Sequence, residues 1–203
     1  MIPDIRDYDR LAAAFRWDIP ARFNIGVDVS DRWARVEADR PAILDVMPDG
    51  QVNVLTFGAL SEQSNRLANV LARHGVAPGD RVAVLLPQGA ATAIAHVAIY
   101  KLGAVALPLA VVFGADALSF RLKDAGAKAL VTNAAGVEKV GPIRSDLPDL
   151  ALVISTDGPD GDVLGLGSAL ERASPNFTPA DTGPDDPAII IYTSGTTGPP
   201  SSM

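Results

Sequence analysis

Four short apolar runs alternate with segments of helical character, and this alternation constrains the fold more than any other feature. The runs are residues 81–86 (Arg-Val-Ala-Val-Leu-Leu), 104–107, 128–132 and 150–154. They are too short and too uniformly apolar to be half-solvated strands, and they read as strands buried on both faces. Parallel strands need crossovers, and helices laid on both faces supply them. The expected fold class is therefore α/β, a mostly parallel sheet with helices on both faces. In such sheets ligands bind beyond the carboxyl ends of the strands.

The intervening segments carry helix signals. Thr56 is placed to cap a helix on which Leu60, Leu67, Ala68 and Leu71 share one face, with Gly75 ending it. Pro78-Gly79 reads as a turn. Residues 89–102 are Ala-rich and apolar nearly all round, which predicts a buried helix stopped by Gly103. Residues 116–125 predict a helix ended by Gly126, and residues 168–173 a short one. Residues 42–47 and 51–55 predict a hairpin around Pro48-Asp49-Gly50. Upstream, Ser30 is expected to cap a helix from Asp31, and Trp17 and Trp33 to pack in the core. Residues 156–167 read as loop, 176–187 as an acidic, Pro-rich connection, and 188–192 as a last strand.

Composition narrows the function classes. The 203 residues include 17 Lys+Arg and 24 Asp+Glu, a net charge of −7, which argues against a nucleic-acid or anionic-membrane binder. There are no cysteines, which excludes disulfides, thiolate metal sites and a Cys nucleophile. The first ten residues are mixed in charge and lack the apolar core of a secretory signal, so a cytoplasmic location is expected. The most apolar stretch, residues 90–113, is interrupted by Tyr100-Lys101, Gly103 and Pro108, and reads as core rather than a membrane span.

The segment with chemical content follows the last strand: Thr193, Ser194, Gly195, Thr196, Thr197 and Gly198. Six small residues, four bearing hydroxyls, let the backbone approach a bulky anion and offer a nest of N–H and O–H donors. A phosphate cradle fits, and so does an exposed turn, which favours the same residues. The spacing is not that of the Walker A loop: Gly195 and Gly198 stand too close, and no Lys-Ser/Thr follows. His96 reads as a packing histidine, and His74 as a partner of a helix C-terminus. Asp157, Asp160 and Asp162 lack the EF-hand spacing and its Glu, and Asp185-Asp186 read as a solvated connector.

Tyr192-Thr-Ser-Gly-Thr-Thr-Gly198-Pro-Pro200 resembles the phosphate-binding signature of the adenylate-forming (AMP-binding) superfamily. Further stretches resemble that superfamily in its own order: Thr56-Phe-Gly-Ala-Leu60 with Ser64-Asn-Arg-Leu-Ala68, Gly79-Asp-Arg-Val-Ala83, and His96-Val-Ala-Ile-Tyr-Lys-Leu-Gly-Ala104 with Pro108-Leu109. Phe23-Asn24, Asp31-Arg-Trp33, and Phe113-Gly-Ala-Asp-Ala-Leu118 with Arg121-Leu122 look most like the medium-chain acyl-CoA synthetase branch.

The resemblance implies ATP-dependent activation of a small-molecule carboxylate: acyl-AMP forms, pyrophosphate leaves, and the acyl group passes to coenzyme A. It implies ATP, Mg²⁺ and coenzyme A as cofactors, with Thr193, Ser194, Gly195, Thr196, Thr197 and Gly198 on the ATP phosphates. Where the family has Lys-Gly, this chain has Ser201-Ser202, and no Lys or Arg occurs from 188 to 203. The resemblance stops at this loop. The expectation is thus a truncated form of the adenylate-forming fold: residues 1–203 as the N-terminal portion of an AMP-binding domain, with its C-terminal part and small C-terminal domain absent. No catalytic or metal-binding residue is assigned. Such a chain is expected to be inactive as a ligase on its own and prone to aggregate at its open sheet edge. The alternative is a truncated non-catalytic nucleotide-binding or interaction module.

Overall fold

The computed structural model describes residues 4–47, 49–193 and 201–202. Its centre is a five-stranded, fully parallel sheet built from β3 (Arg81–Leu85), β4 (Val105–Pro108), β5 (Ala127–Thr132), β6 (Leu152–Ser155) and β7 (Leu164–Gly165), in the order β4-β3-β5-β6-β7. Strand alternation divides its side chains between two cores. Val82 and Val84 face one core with Ala129, Val131 and Ile154, beneath α3 (Phe57–Arg73) and α4 (Ala90–Leu102). Ala83 and Leu85 face the other with Leu107 and Leu130, beneath α5 (Ala115–Asp124) and α6 (Ala134–Val140). Each strand is buried on both sides, which is why the runs show no polar alternation.

The local signals act as expected. Thr56 Oγ1 accepts from Ala59 N at 3.2 Å at the start of α3. Gly103 ends α4 at φ +71°, a left-handed conformation that glycine adopts without strain. β1 (Pro41–Val46) and β2 (Val52–Thr56) form the antiparallel hairpin. Ser30 departs from expectation. A helical turn from Val27 to Asp31 runs directly into α2 (Arg32–Val36), and buried Ser30 bonds back to Gly26 O at 2.7 Å instead of capping. Trp17 also departs: it is 79% exposed and meets Phe15 edge-on at 4.9 Å, past the end of α1 (Tyr8–Ala14), a helix with no buried residue. Trp33 is half-buried against Phe57, with the Arg32 and Arg40 guanidinium groups over its ring.

Three elements had no signal strong enough to read. α6 is seven residues with Gly136 in its middle, the turn Gly141–Asp146 follows it, and β7 is two residues inside an apparent loop. The short helix near Ser168 is α7 (Leu166–Glu171).

The segment before α2 and the acidic connection meet at one side chain. Asn24 Nδ2 lies within hydrogen-bond distance of Tyr100 O (2.9 Å) and Lys101 O (3.3 Å) at the end of α4 and of Ala180 O (3.0 Å) in the connection, so its two N–H groups tie the three segments together.

Candidate functional site

Residues 188–190 lie along the free side of β4. Ala106 N donates to Ala188 O and Ile190 N to Ala106 O, both at 2.9 Å, a parallel bridge. The predicted last strand is therefore a sixth, edge partner of the sheet. The chain leaves it toward the carboxyl ends of the strands, where α/β sheets bind ligands. There β8 (Tyr192–Thr193) pairs antiparallel with β9 (Ser201–Ser202), Tyr192 opposite Ser202 and Thr193 opposite Ser201. Thr193, the first residue of the hydroxyl-rich segment, is thus held beside Ser201. Thr193 is exposed. Ser194, Gly195, Thr196, Thr197 and Gly198 lie outside the described residues.

Tyr192 anchors this start. Its ring packs on the second core, and its phenol donates to Asp124 Oδ2 at 2.5 Å. Burial and that carboxylate push the phenol's pKa well up, so it stays a proton donor across the ordinary pH range. The Arg121 guanidinium lies 4.2 Å from the Phe113 ring centroid and 5.5 Å from that of Tyr192.

The other place an α/β sheet offers is the crevice where strand order reverses, here between β3 and β5. Several of its donors are already used. Asp45 Oδ2, from the hairpin, accepts from Ala90 N at the start of α4 (3.1 Å). Asp157 Oδ2 accepts from Ala134 N at the start of α6 (2.8 Å), and Asn133 Oδ1 from Gly136 N (3.0 Å). The Thr132 hydroxyl is spent on Leu85 O at 2.8 Å. Carboxylates of the chain itself therefore sit at both helix starts, and their charge disfavours a phosphate beside them. Sequence reasoning missed this, because Asp45 and Asp157 carry no motif.

The histidines are structural. His74 Nδ1 lies 2.8 Å from Val70 O at the end of α3. His96 is half-buried, 3.3 Å from the Tyr100 hydroxyl, and burial holds its pKa below the ordinary value. Among the described residues no group of three His, Asp or Glu could hold a metal ion, and no helix is long and apolar enough to cross a membrane. An apolar cavity of about 460 Å³ opens at the opposite, amino end of the strands, lined by Ile19, Phe23, Tyr100, Pro184 and Ala188 among others. Thr193 lies at the other end of the strand direction.

The AMP-binding enzyme family matches residues 30–201, most of the chain. The chain belongs to this family. An acetyl-coenzyme A synthetase of Rhodobacter capsulatus is 32% identical across 94% of this chain. Human mitochondrial acyl-coenzyme A synthetase ACSM2A is 31% identical, also across 94% of it. The mouse mitochondrial acyl-coenzyme A synthetase ACSM1 is 33% identical across 96%. These matches span 32%, 35% and 36% of the relatives, so the chain covers about a third of their length. Among solved structures, a Brucella canis acyl-CoA synthetase superposes with a TM-score of 0.84 at 26% identity, over 96% of this chain and 37% of that one. The anthranilate CoA ligase AuaEII, in complex with anthranoyl-AMP, gives 0.82 at 26% identity, over 92% and 35%. The parallel sheet with helices on both faces is thus the fold of adenylate-forming CoA ligases, and the medium-chain synthetases are among the relatives.

Proposed function

We propose that this chain is the N-terminal portion of an ATP-dependent acyl-CoA synthetase, and that Thr193, Ser194, Gly195, Thr196, Thr197 and Gly198 hold the ATP phosphates. The overall reaction joins a carboxylate to AMP and then transfers the acyl group to coenzyme A. The observation that carries the reading is the position of Thr193 beyond the carboxyl end of the edge strand, while at the reversal crevice Asp45 and Asp157 already accept from the starts of α4 and α6.

The donor set suits phosphate. Hydroxyls and backbone N–H groups bind oxyanions without bulk, and donors fixed around the phosphates stabilise charge as pyrophosphate leaves. Mg²⁺, carried on the phosphates, neutralises part of that charge when bound. With no Lys or Arg between 188 and 203, one charge-assisted contact is missing. That weakens phosphate affinity by roughly ten- to a hundredfold. A chain without cysteines suits a reducing, cytoplasmic setting.

Titration of the purified chain with ATP·Mg²⁺ by calorimetry tests the loop. Binding with Kd in about the millimolar range is expected, weakened by Thr196→Ala. Absence of binding well above that range refutes a phosphate role. No ATP–pyrophosphate exchange is expected from this chain with any carboxylate, and exchange would refute the need for further segments. A second reading, a non-catalytic nucleotide-binding or interaction module, draws on the missing basic residue. Restored exchange when the remaining two-thirds of a related synthetase is supplied would count against it.

A further inference from the structure

Tyr192 is the residue at which the edge strand gives way to the hydroxyl-rich segment, and α5 grips it from three sides. The phenol donates to Asp124 Oδ2 at 2.5 Å and lies 3.4 Å from Arg121 O. Phe120 meets the ring edge-on at 6.2 Å. The Arg121 guanidinium lies over both the Tyr192 and Phe113 rings. Arg121 is itself 8% exposed, bonded through Nη1 to Ala117 O, with Nε buried and unpartnered. Lys139 Nζ donates to Val111 O and Phe113 O, which fixes the far wall of the grip from α6.

Burial alone would not require the hydroxyl, since a phenylalanine ring would fill the same space. The bond to Asp124 adds direction. Successive strand side chains point to opposite faces. Holding the Tyr192 side chain on the α5 face therefore turns Thr193 away from α5. We infer that Asp124 and Arg121 are positioning residues for the phosphate-binding hairpin: by gripping Tyr192 they set the rotation at which Thr193 and its pairing with Ser201 are presented. The grip is a property of the described residues, and its consequence for ligand binding rests on the function proposed above.

Two measurements on the full chain keep those apart. The first is amide hydrogen exchange at Tyr192, Thr193, Ser201 and Ser202. Tyr192→Phe and Asp124→Ala should each accelerate exchange there by about three- to tenfold, the loss of one hydrogen bond, with exchange in β3 and β5 unchanged. Asp124→Asn keeps an acceptor oxygen and should stay near the parent. The double variant should be no faster than either single one. Unchanged exchange, or acceleration spread through the sheet, overturns the grip. The second is ATP·Mg²⁺ calorimetry, in which the same two variants should bind about three- to tenfold more weakly and Asp124→Asn should recover. If the parent binds ATP and the variants bind it equally well, the positioning role is overturned. If the parent binds no ATP, the phosphate reading fails, and the exchange result alone upholds or overturns the grip.

Discussion

Lys101 offers the sharpest test of how this fold is held together. It stands in the last turn of α4, where a lysine ordinarily lies exposed beside the helix C-terminus, yet its side chain is fully buried. The ammonium donates to Asp31 Oδ1 (2.5 Å), Asn65 Oδ1 (2.7 Å) and Ser61 O (3.2 Å), so its three protons meet three acceptors. Burial presses its pKa down and Asp31 opposes that shift. Lys101→Met keeps much of the stem volume but strips Asp31 of its cation. Removing one partner of a buried pair costs about 3–5 kcal/mol. Asp31 retains the Ser61 hydroxyl at 2.6 Å and the Ser30 hydroxyl at 3.1 Å, and its side chain is 16% exposed, which places the expected loss at the lower end, about 3 kcal/mol. For a chain of this size that is a fall in Tm of about 6–12 °C. Urea unfolding followed by far-UV circular dichroism measures the loss. Asp31→Asn and the double variant complete a cycle in which the double costs less than the sum of the singles. A Lys101→Met variant within about 1 kcal/mol of the parent, or strictly additive singles, would refute the buried-pair argument.

Three further outcomes are expected. Thr56→Ala removes the cap of α3 and should lower stability by about 1 kcal/mol in the same assay, whereas Thr56→Ser should not. Gly26→Ala places a Cβ 2.7 Å from Lys101 Cγ and from Val97 O, and should cost about 1–3 kcal/mol through overpacking. His96 has a folded pKa below its ordinary 6.5 because of burial, so the unfolded chain takes up the proton first on acidification. Its contribution is fully present above pH 6.5 and is lost as pH falls toward the folded value. His96→Gln should flatten that part of the stability–pH curve, and an unaltered slope would count against the assignment.

The hairpin and the parallel strands were legible because their signals are local. A strand buried on both faces needs an unbroken apolar run, and a helix needs a cap and a stop within reach of its own backbone. Thr56, Gly103 and the runs at 81–86 and 128–132 satisfy those needs within a few residues. α6 escaped notice because a seven-residue helix scarcely completes two turns, too few for a periodic face. Its Gly136 is set by packing, since a Cβ there would collide with the Thr132 side chain.

The candidate site divides along the same line. The run of small hydroxyl residues after an apolar strand was visible in the sequence, as was the absence of a basic neighbour. The order of the strands was not, because it depends on which runs meet across dozens of residues. Asp45 reaches Ala90, Asp157 reaches Ala134, Asp31 reaches Lys101 and Asp124 reaches Tyr192, at separations of 45, 23, 70 and 68 residues. Periodicity tells each segment which face to bury, but it carries no information about the partner that will cover that face. A carboxylate therefore looks like any solvated acid until the chain closes and brings it to a helix N-terminus, a buried ammonium or a phenol. The alternating apolar runs determined that the protein would be a parallel α/β sheet. Only closure of the chain decided which helix starts its own carboxylates cover, because it alone decided where the acidic side chains came to rest.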